Sequence, residues 1–341
     1  MNLLFTSVGR RSYLLKYFRD AMEECDRIFA ANSTALNPAF LQADESIVTP
    51  TIYDSDYIPF LLRYCKEKKI SALISLFDID LLILAANKEK FAEIGTKVIV
   101  SDVDFVDICN DKWKTFVFLQ SHCFNVPKTY LNLIDVYKDL RRNELNFPLI
   151  VKPRWGMGSI SVYQADNENE LKIFYSKIKK EIQTSYLKYE SANNIDESVI
   201  IQEKIIGQEY GLDVMNDLEG EYKNTSVKKK ISMRSGETDC AITVEDDDLK
   251  IIGEKIANIS HHIGNLDIDV FKDKEKKIYI LEMNARFGGG YPFSHLAGVD
   301  LPKAIINWLN GKQVALDLLS PRIGIIGQKD INLICLPEKV L

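Results

Sequence analysis

Glu282, Asn284 and Arg286 stand at every second position in the stretch YILEMNAR (279–286). Residues two apart on a β-strand share one face, so an acid, an amide and a guanidinium form a ladder beside Ile280 while Leu281 and Met283 face the other way. A second strand, LDIDVF, precedes it across KDKEKK (272–277). Symmetric pairing about that connection places Asp267 opposite Glu282, Asp269 opposite Ile280, and Asp269 diagonal to Glu282. Two carboxylates about 5–8 Å apart on one sheet face repel each other, an arrangement that suits a divalent cation between them. Mg²⁺, or Mn²⁺ in its place, takes carboxylate and amide oxygens and lets substrate phosphates complete its shell. Asp269, Glu282 and Asn284 are then the metal-ligand candidates, with Arg286 neutralising phosphate charge. The same alternation also describes the solvated face of an antiparallel strand.

Three upstream stretches offer related chemistry. In VKPRWGMGS (151–159), Lys152 leaves a strand and enters a loop containing Gly156, Gly158 and Ser159, whose amides suit closure over phosphates. A hairpin turn beside an exposed lysine is the alternative, and the order matches neither a P-loop nor a dinucleotide fingerprint. IIQEKIIGQEYGLDV (200–214) is a strand running into a linker, with Glu203 and Glu209 as acids for ribose hydroxyls or as plain surface acids. In DKWK (111–114), Lys112 stands near a helix start.

The elements holding these residues begin as alternating strands and helices. Strands are expected at 3–8, 27–32, 71–77 and 97–102, and helices at 12–24, 57–69 and 80–94. Such interleaving implies a parallel sheet covered on both faces. A helix follows within 107–123, capped by Asn110 or Asp111, then a turn and strand at 125–131. A strand, glycine loop and strand occupy 147–166, a lysine-rich helix 168–190, a polar loop 191–198 and strands 197–217. His261 and His262 are expected in a helix. The amphipathic LPKAIINWLNGK (301–312) forms a helix that is either core or interface.

The chain has 341 residues, enough for two or three units with real cores. Its 46% hydrophobic and 27% charged residues describe an ordinary globular protein. A formal charge of −6 argues against a dedicated nucleic-acid binder. The six cysteines are scattered without a CxxC pair, reading as free thiols of a reducing cytosol. No leader-like opening and no long apolar run point to a membrane, so a cytoplasmic protein without nucleic-acid or membrane partners is expected.

Lys112, Lys152 with its glycine loop, QEKIIGQE, and an acid ahead of E-x-N-x-R resemble, in order and spacing, the ATP-grasp superfamily, nearest to short proteins similar to the ATP-grasp half of carbamoyl phosphate synthase large subunits. The resemblance implies a Rossmann-like pre-ATP-grasp domain (1–105) followed by a two-subdomain ATP-grasp module (106–341), with a lid at about 115–203 and a C-terminal subdomain at about 204–341. It implies ATP and Mg²⁺ as cofactors, small-molecule carboxylate and amine substrates, and a homodimer. Lys112 and Lys152 would contact α and β phosphates, and Gly156, Gly158 and Ser159 would form the lid loop. Glu203, Lys204 and Ile206 would flank adenine and Glu209 the ribose. Asp269, Glu282 and Asn284 match the metal ligands, with Asp269 shorter than the usual Glu or Gln and Asp267 in reserve. Arg286 and Lys152 would be catalytic.

Substrate contacts are expected from Arg10 or Arg11 at the opening of the first helix, from Gly288 and Gly289, from His295, and from one or two of Lys228, Lys229, Lys230 and Arg234. Arg234 is preferred there because guanidinium binds carboxylate bidentately. The leading expectation is an ATP- and Mg²⁺-dependent carboxylate–amine ligase working through an acyl phosphate. Carbamoyl or carboxy phosphate formation from bicarbonate and a non-catalytic nucleotide-binding regulator are the alternatives. A single glycine in TSVGRRS makes a dinucleotide-dependent oxidoreductase a poor fit.

Overall fold

Short strands with apolar centres build the first sheet of the computed structural model, which describes residues 1–192 and 194–336. Asn193, within the expected loop 191–198, and residues 337–341, at the end of the expected C-terminal subdomain, lie outside the described residues. The elements run β1 (Asn2–Thr6), α1 (Ser12–Ala21), β2 (Arg27–Asn32), β3 (Glu45–Val48), α2 (Tyr57–Lys68), β4 (Ala72–Ser75), α3 (Asp78–Ala85), α4 (Lys88–Glu93), β5 (Lys97–Ile99) and α5 (Val103–Asn110). Their five strands pair in parallel in the order β3-β2-β1-β4-β5. Leu3 and Phe5 enter the core beneath α1, and Leu4 enters the core beneath α2 and α3. Both faces are therefore covered, as a parallel sheet requires.

Two expectations change here. The helix expected over 80–94 is two helices, broken where the Asn87 amide donates to Ile83 O at 2.8 Å, a side-chain bond that competes with the helical ladder. The strand β3 was not foreseen, because ESIV is four residues long and only half-buried at alternate positions.

A four-stranded sheet comes next. After α6 (Lys112–Ser121), whose Leu119 joins a different core, its elements are β6 (Thr129–Tyr130), α7 (Leu133–Arg141), β7 (Leu149–Pro153), β8 (Tyr163–Ala165), α8 (Glu168–Thr184), α9 (Leu187–Glu190) and β9 (Val199–Glu203). The order is β6-β9-β7-β8, antiparallel throughout. Its core is made only of its own residues, among them Val136, Leu149, Ile178 and Ile201. The helix expected over 168–190 is interrupted at Ser185, whose backbone is extended.

The third sheet comprises β10 (Gly207–Asn216), β11 (Tyr222–Arg234), β12 (Glu237–Thr243), β13 (Asn265–Asp273), β14 (Ile278–Asn284) and β15 (Ile326–Gln328), with α10 (Asp247–Ser260), α11 (Tyr291–Leu296) and α12 (Leu301–Leu309). Its order is β14-β13-β10-β11-β12-β15. Neither His261 nor His262 is helical as expected: α10 ends at Ser260, His261 takes a left-handed φ of 45°, and His262 is buried in the turn beyond. The α12 question resolves to core. Leu301, Ala304 and Ile305 join Phe287, Tyr291 and the residues of β1 and α1 in one cluster.

The β13–β14 hairpin also departs from its expected register. Its strands run closer to the turn, reaching Asp273 and Ile278, because Asp273 Oδ1 accepts from Glu275 N at 2.9 Å and Lys277 N at 2.8 Å. Such an Asx turn is tighter than a six-residue connection. A bulge follows between Asp269 and Val270. Asp269 therefore lies directly opposite Glu282 rather than diagonal to it, and Asp267 opposite Asn284 rather than Glu282.

Candidate active site

The hairpin face carries two successive cross-strand pairs, Asp269 with Glu282 and Asp267 with Asn284. Burial raises the Asp269 carboxyl to about 6, with Lys230 opposing and Asp267 and Glu282 reinforcing the rise. Burial also presses on Glu282, but Lys112, Lys152, Lys230 and Arg286 outweigh it and hold that carboxyl below its ordinary range. Lys230 Nζ reaches across the sheet to Asp269 Oδ1 and Glu209 Oε1, 2.6 Å from each. Burial raises Glu209 as well, against the pull of Lys230.

Arg286 follows the hairpin and turns back across it. Its Nε donates to Asp78 Oδ2 at 2.9 Å and its Nη1 to Asp267 Oδ2 at 3.3 Å. Burial alone would lower its pKa, yet Asp78 and Asp267 raise it. Asp78 opens α3 just beyond the C-terminal end of β4, so the parallel sheet contributes an acid to this site. Gly288 lets the chain pass: a Cβ there would collide with the Asp267 carboxyl.

Lys152 approaches from β7. It is 6% exposed and makes no ion pair among the described residues. Burial lowers its pKa to about 8, with Glu282 and Asp269 opposing and Lys112 reinforcing the fall. Lys112 is the first residue of α6, whose N-cap Asp111 accepts from Trp113 N at 2.9 Å. The Asp111 carboxylate also takes Arg154 Nε and Nη2, 2.8 Å each, in a buried fork. Lys112 Nζ itself donates to Gly156 O. The glycine loop is thus tied at its base to the residues flanking Lys112.

The rest of the loop turns away from the ladder. Gly156, Gly158 and Ser159 all have positive φ, and Ser159 rests on the β11–β12 turn, 2.6 Å from where a Cβ on Gly236 would sit. Glu203 ends β9 and accepts from Lys128 N at 3.1 Å. Lys204 donates to Gln164 Oε1 at 2.6 Å, and Ile206 is 69% exposed. These three lie where the chain crosses from the four-stranded to the six-stranded sheet.

Lys112, Lys152, Gly156, Glu209, Asp269, Glu282, Asn284 and Arg286 are gathered around one cleft, which Asp78 and Glu190 also line. Arg11 joins its edge by donating to Phe287 O at 2.6 Å. Arg10 and Arg234 are exposed, the latter at the end of β11, and neither makes an ion pair among the described residues. His295 stacks on Tyr17 at 3.7 Å and contacts Val299 O through Nδ1 at 3.2 Å. Gly289 lies beside the Glu237 carboxyl.

Sequence reasoning missed Asp78 and Glu237, and it ranked Lys230 below Arg234. Asp78 had a usable signal, since an acid at the carboxyl end of a parallel strand lies where open α/β sheets bind ligands. Lys230 had only strand alternation with Lys228, both of which are buried.

Among the described residues no three His, Cys, Asp or Glu side chains form a metal cage. The Asp269–Glu282 pair plus the Asn284 amide is an incomplete, oxygen-only set. That fits a hard cation whose remaining ligands are phosphate oxygens and water, and does not fit zinc.

Residues 145–292 match the model of the ATP-grasp domain, and residues 3–99 that of the PylC-like N-terminal domain. The ATP-grasp match thus covers residues 145–292, the stretch that carries the glycine loop and the hairpin ladder. Curated relatives are carbamoyl phosphate synthase large chains. That of Thermoanaerobacter sp. (strain X514) is 24% identical over 261 residues, 74% of this chain and 23% of that protein. That of Campylobacter jejuni is 21% identical over 243 residues, 67% of this chain and 21% of that protein. The chain thus spans less than a quarter of the length of these relatives.

Among solved structures, a biotin carboxylase–β,γ-ATP complex from Campylobacter jejuni superposes with a TM-score of 0.71 at 18% identity, covering 94% of this chain and 73% of that one. The biotin carboxylase domain dimer of Hydrogenobacter thermophilus 2-oxoglutarate carboxylase, complexed with MgADP, ADP and bicarbonate, gives 0.72 at 16%, covering 95% and 73%. An L-amino acid ligase from Bacillus licheniformis gives 0.65 at 18%, covering 94% and 77%. At these identities the likeness is one of fold. No helix among the described residues is long and apolar enough to cross a membrane.

Proposed function

We propose that the protein is an ATP- and Mg²⁺-dependent ligase that activates a small carboxylate as an acyl phosphate for attack by an amine. The observation that carries this is Lys152, a buried cation that makes no ion pair among the described residues, near the Asp269–Glu282 pair at the base of a glycine loop. Burying an uncompensated charge is costly, and a phosphate supplies the missing anion. When bound, ATP supplies the phosphoryl group and Mg²⁺ screens its charge. Lys112 and Lys152 hold phosphates, and Gly156, Gly158 and Ser159 close over them. Glu203, Lys204 and Ile206 border the adenine and Glu209 the ribose. Asp269, Glu282 and Asn284 would hold the metal, and Lys230 lies against Asp269 on the same face. Arg286, fixed by Asp78 and Asp267, orients the transferring group. Catalysis of this kind rests on positioning and charge stabilisation.

The corresponding division is a first domain over 1–105, a lid over about 115–203 and a C-terminal subdomain over about 204–341. A homodimeric, cytoplasmic enzyme completes the proposal; the dimer rests on the fold's resemblance, and free cysteines, several exposed, suit a reducing compartment.

Substrate-dependent ADP release tests it. Glu282→Gln should lower turnover about 10²–10³-fold, the scale for one transition-state-stabilising group, with an unchanged melting temperature. Full activity in that variant would sink the metal assignment. The carbamoyl phosphate synthase relatives favour one second reading, phosphorylation of bicarbonate, which predicts ADP release with bicarbonate as the sole carboxylate.

A further inference from the structure

Two charged side chains beside the cleft, Arg11 and Glu237, have no role in holding nucleotide or metal, and they flank a single short segment. Arg11 Nη1 and Arg286 Nη1 both donate to Phe287 O, at 2.6 and 3.3 Å. Their electrostatic situations differ. Arg286 is compensated by Asp78 and Asp267, whereas Arg11 makes no ion pair among the described residues. Burial first, and then Arg286, lowers the Arg11 pKa. A guanidinium has five N–H donors, and Arg11 spends one on a neutral carbonyl. It also stands at the start of α1, where unpaired helical amides add positive potential. Tyr13, the second residue of that helix, makes no hydrogen bond among the described residues and lies near Arg11, Glu237 and Arg286.

Two residues beyond Phe287, Glu237 brings its carboxyl within 3.6 Å of the position a Cβ on Gly289 would take. Its Oε2 accepts from Lys329 at 3.0 Å, while Oε1 has no partner among the described residues. Alternate Cα atoms of an extended chain are at most about 7 Å apart. The Arg11 cation and the Glu237 anion therefore lie within the span of one small molecule, and they do not pair with each other.

We infer that the carboxylate substrate is an α-amino acid, bound as a zwitterion with its carboxylate on Arg11 and its ammonium on Glu237, across the Phe287–Gly289 segment. This rests on the ligase reading above and gives its substrate a chemical class. The polarity has a consequence. The carboxylate end lies beside Arg286 and the phosphate-facing ladder, whereas the ammonium stays protonated against Glu237 and is withheld from acting as the nucleophile. Tyr13 offers its hydroxyl as a second donor to the carboxylate.

Direct calorimetric titration of the full chain with each of the twenty standard amino acids tests this without requiring turnover. At least one should bind. Its α-amide, which lacks the carboxylate, and its N-acetyl derivative, which lacks the ammonium, should each bind at least tenfold more weakly to the unmodified protein. Arg11→Gln should abolish the preference for acid over amide and leave the preference for free over acetylated amine. Glu237→Gln should do the reverse. Binding of none of the twenty, or indifference to both modifications, would overturn the inference. Mg²⁺-dependent nucleotide binding, titrated in parallel, separates the two readings. If nucleotide binds and no amino acid does, only the amino-acid site is lost. If nucleotide fails to bind, the ligase reading is lost and the amino-acid titration still decides the site.

Discussion

The four-stranded sheet keeps its apolar residues to itself, from Val136 to Ile201, while the parallel sheet shares one core with Phe287, Tyr291, Leu301 and Ile305 from the far end of the chain. What joins the four-stranded unit to its neighbours is mostly polar or small. The Asp111–Arg154 fork ties it to α6. Tyr53 stacks on Tyr189 at 4.2 Å and donates to Glu190 at 3.0 Å, and the glycine loop rests against Gly236. Apolar burial is lost only by exposing the whole surface, whereas hydrogen bonds to groups at a rim exchange with water at little net cost. One wall of the cleft is therefore welded and the other is latched. The segment Phe287–Gly289 belongs to the weld through Phe287.

Phe287→Ala should give the largest effect, about 3–5 kcal/mol for a large-to-small change in a packed core. Hydrogen exchange should show β1 and α12 losing protection together while β7 and β9 keep theirs; equal losses in β7 and β9 would break the comparison. Acid should act on the same side. His262 lies where the six-stranded sheet meets the parallel sheet, its Nε2 3.0 Å from Val214 O, while Ile263 N donates to Ser101 Oγ at 3.0 Å. Burial lowers its pKa from 6.5 to about 4, so the unfolded chain takes up this proton first. Its contribution to stability is full above pH 6.5 and drains away as pH falls towards 4. His262→Gln should flatten that part of the stability profile, and an unchanged slope would remove His262 as the cause. The four-stranded sheet, from Thr129 to Glu203, has no histidine. The smallest effect belongs to the latch: Tyr53→Phe should cost roughly 0.5–1.5 kcal/mol, read as faster exchange in α9 with β1 unchanged.

Much of this was legible in the sequence. Leu3 to Phe5 and Ala72 to Ser75 are short apolar runs between amphipathic helices, and that pattern has few folded solutions. Glu282, Asn284 and Arg286 were found by period-two spacing, and Asp111 by its capping chemistry. The register of Asp269 was not found, because the Asp273 turn tightened the hairpin and a bulge shifted its pairing. Glu237 reaches the cleft from an element that only tertiary packing brings near, whereas Asp78 carried the signal of an acid just beyond a parallel strand. Lys230 could not be ranked above Arg234 because both lie on one basic strand, and burial, invisible in the letters, separates them.

The position of the glycine loop has one further consequence. Ser159 sits where the first carbon of any side chain at residue 236 would be. On the proposed ligase reading an acyl phosphate would survive only where water is kept out, so the close approach of the loop would depend on an atom that residue 236 lacks. A single methyl group at 236 would act as a doorstop.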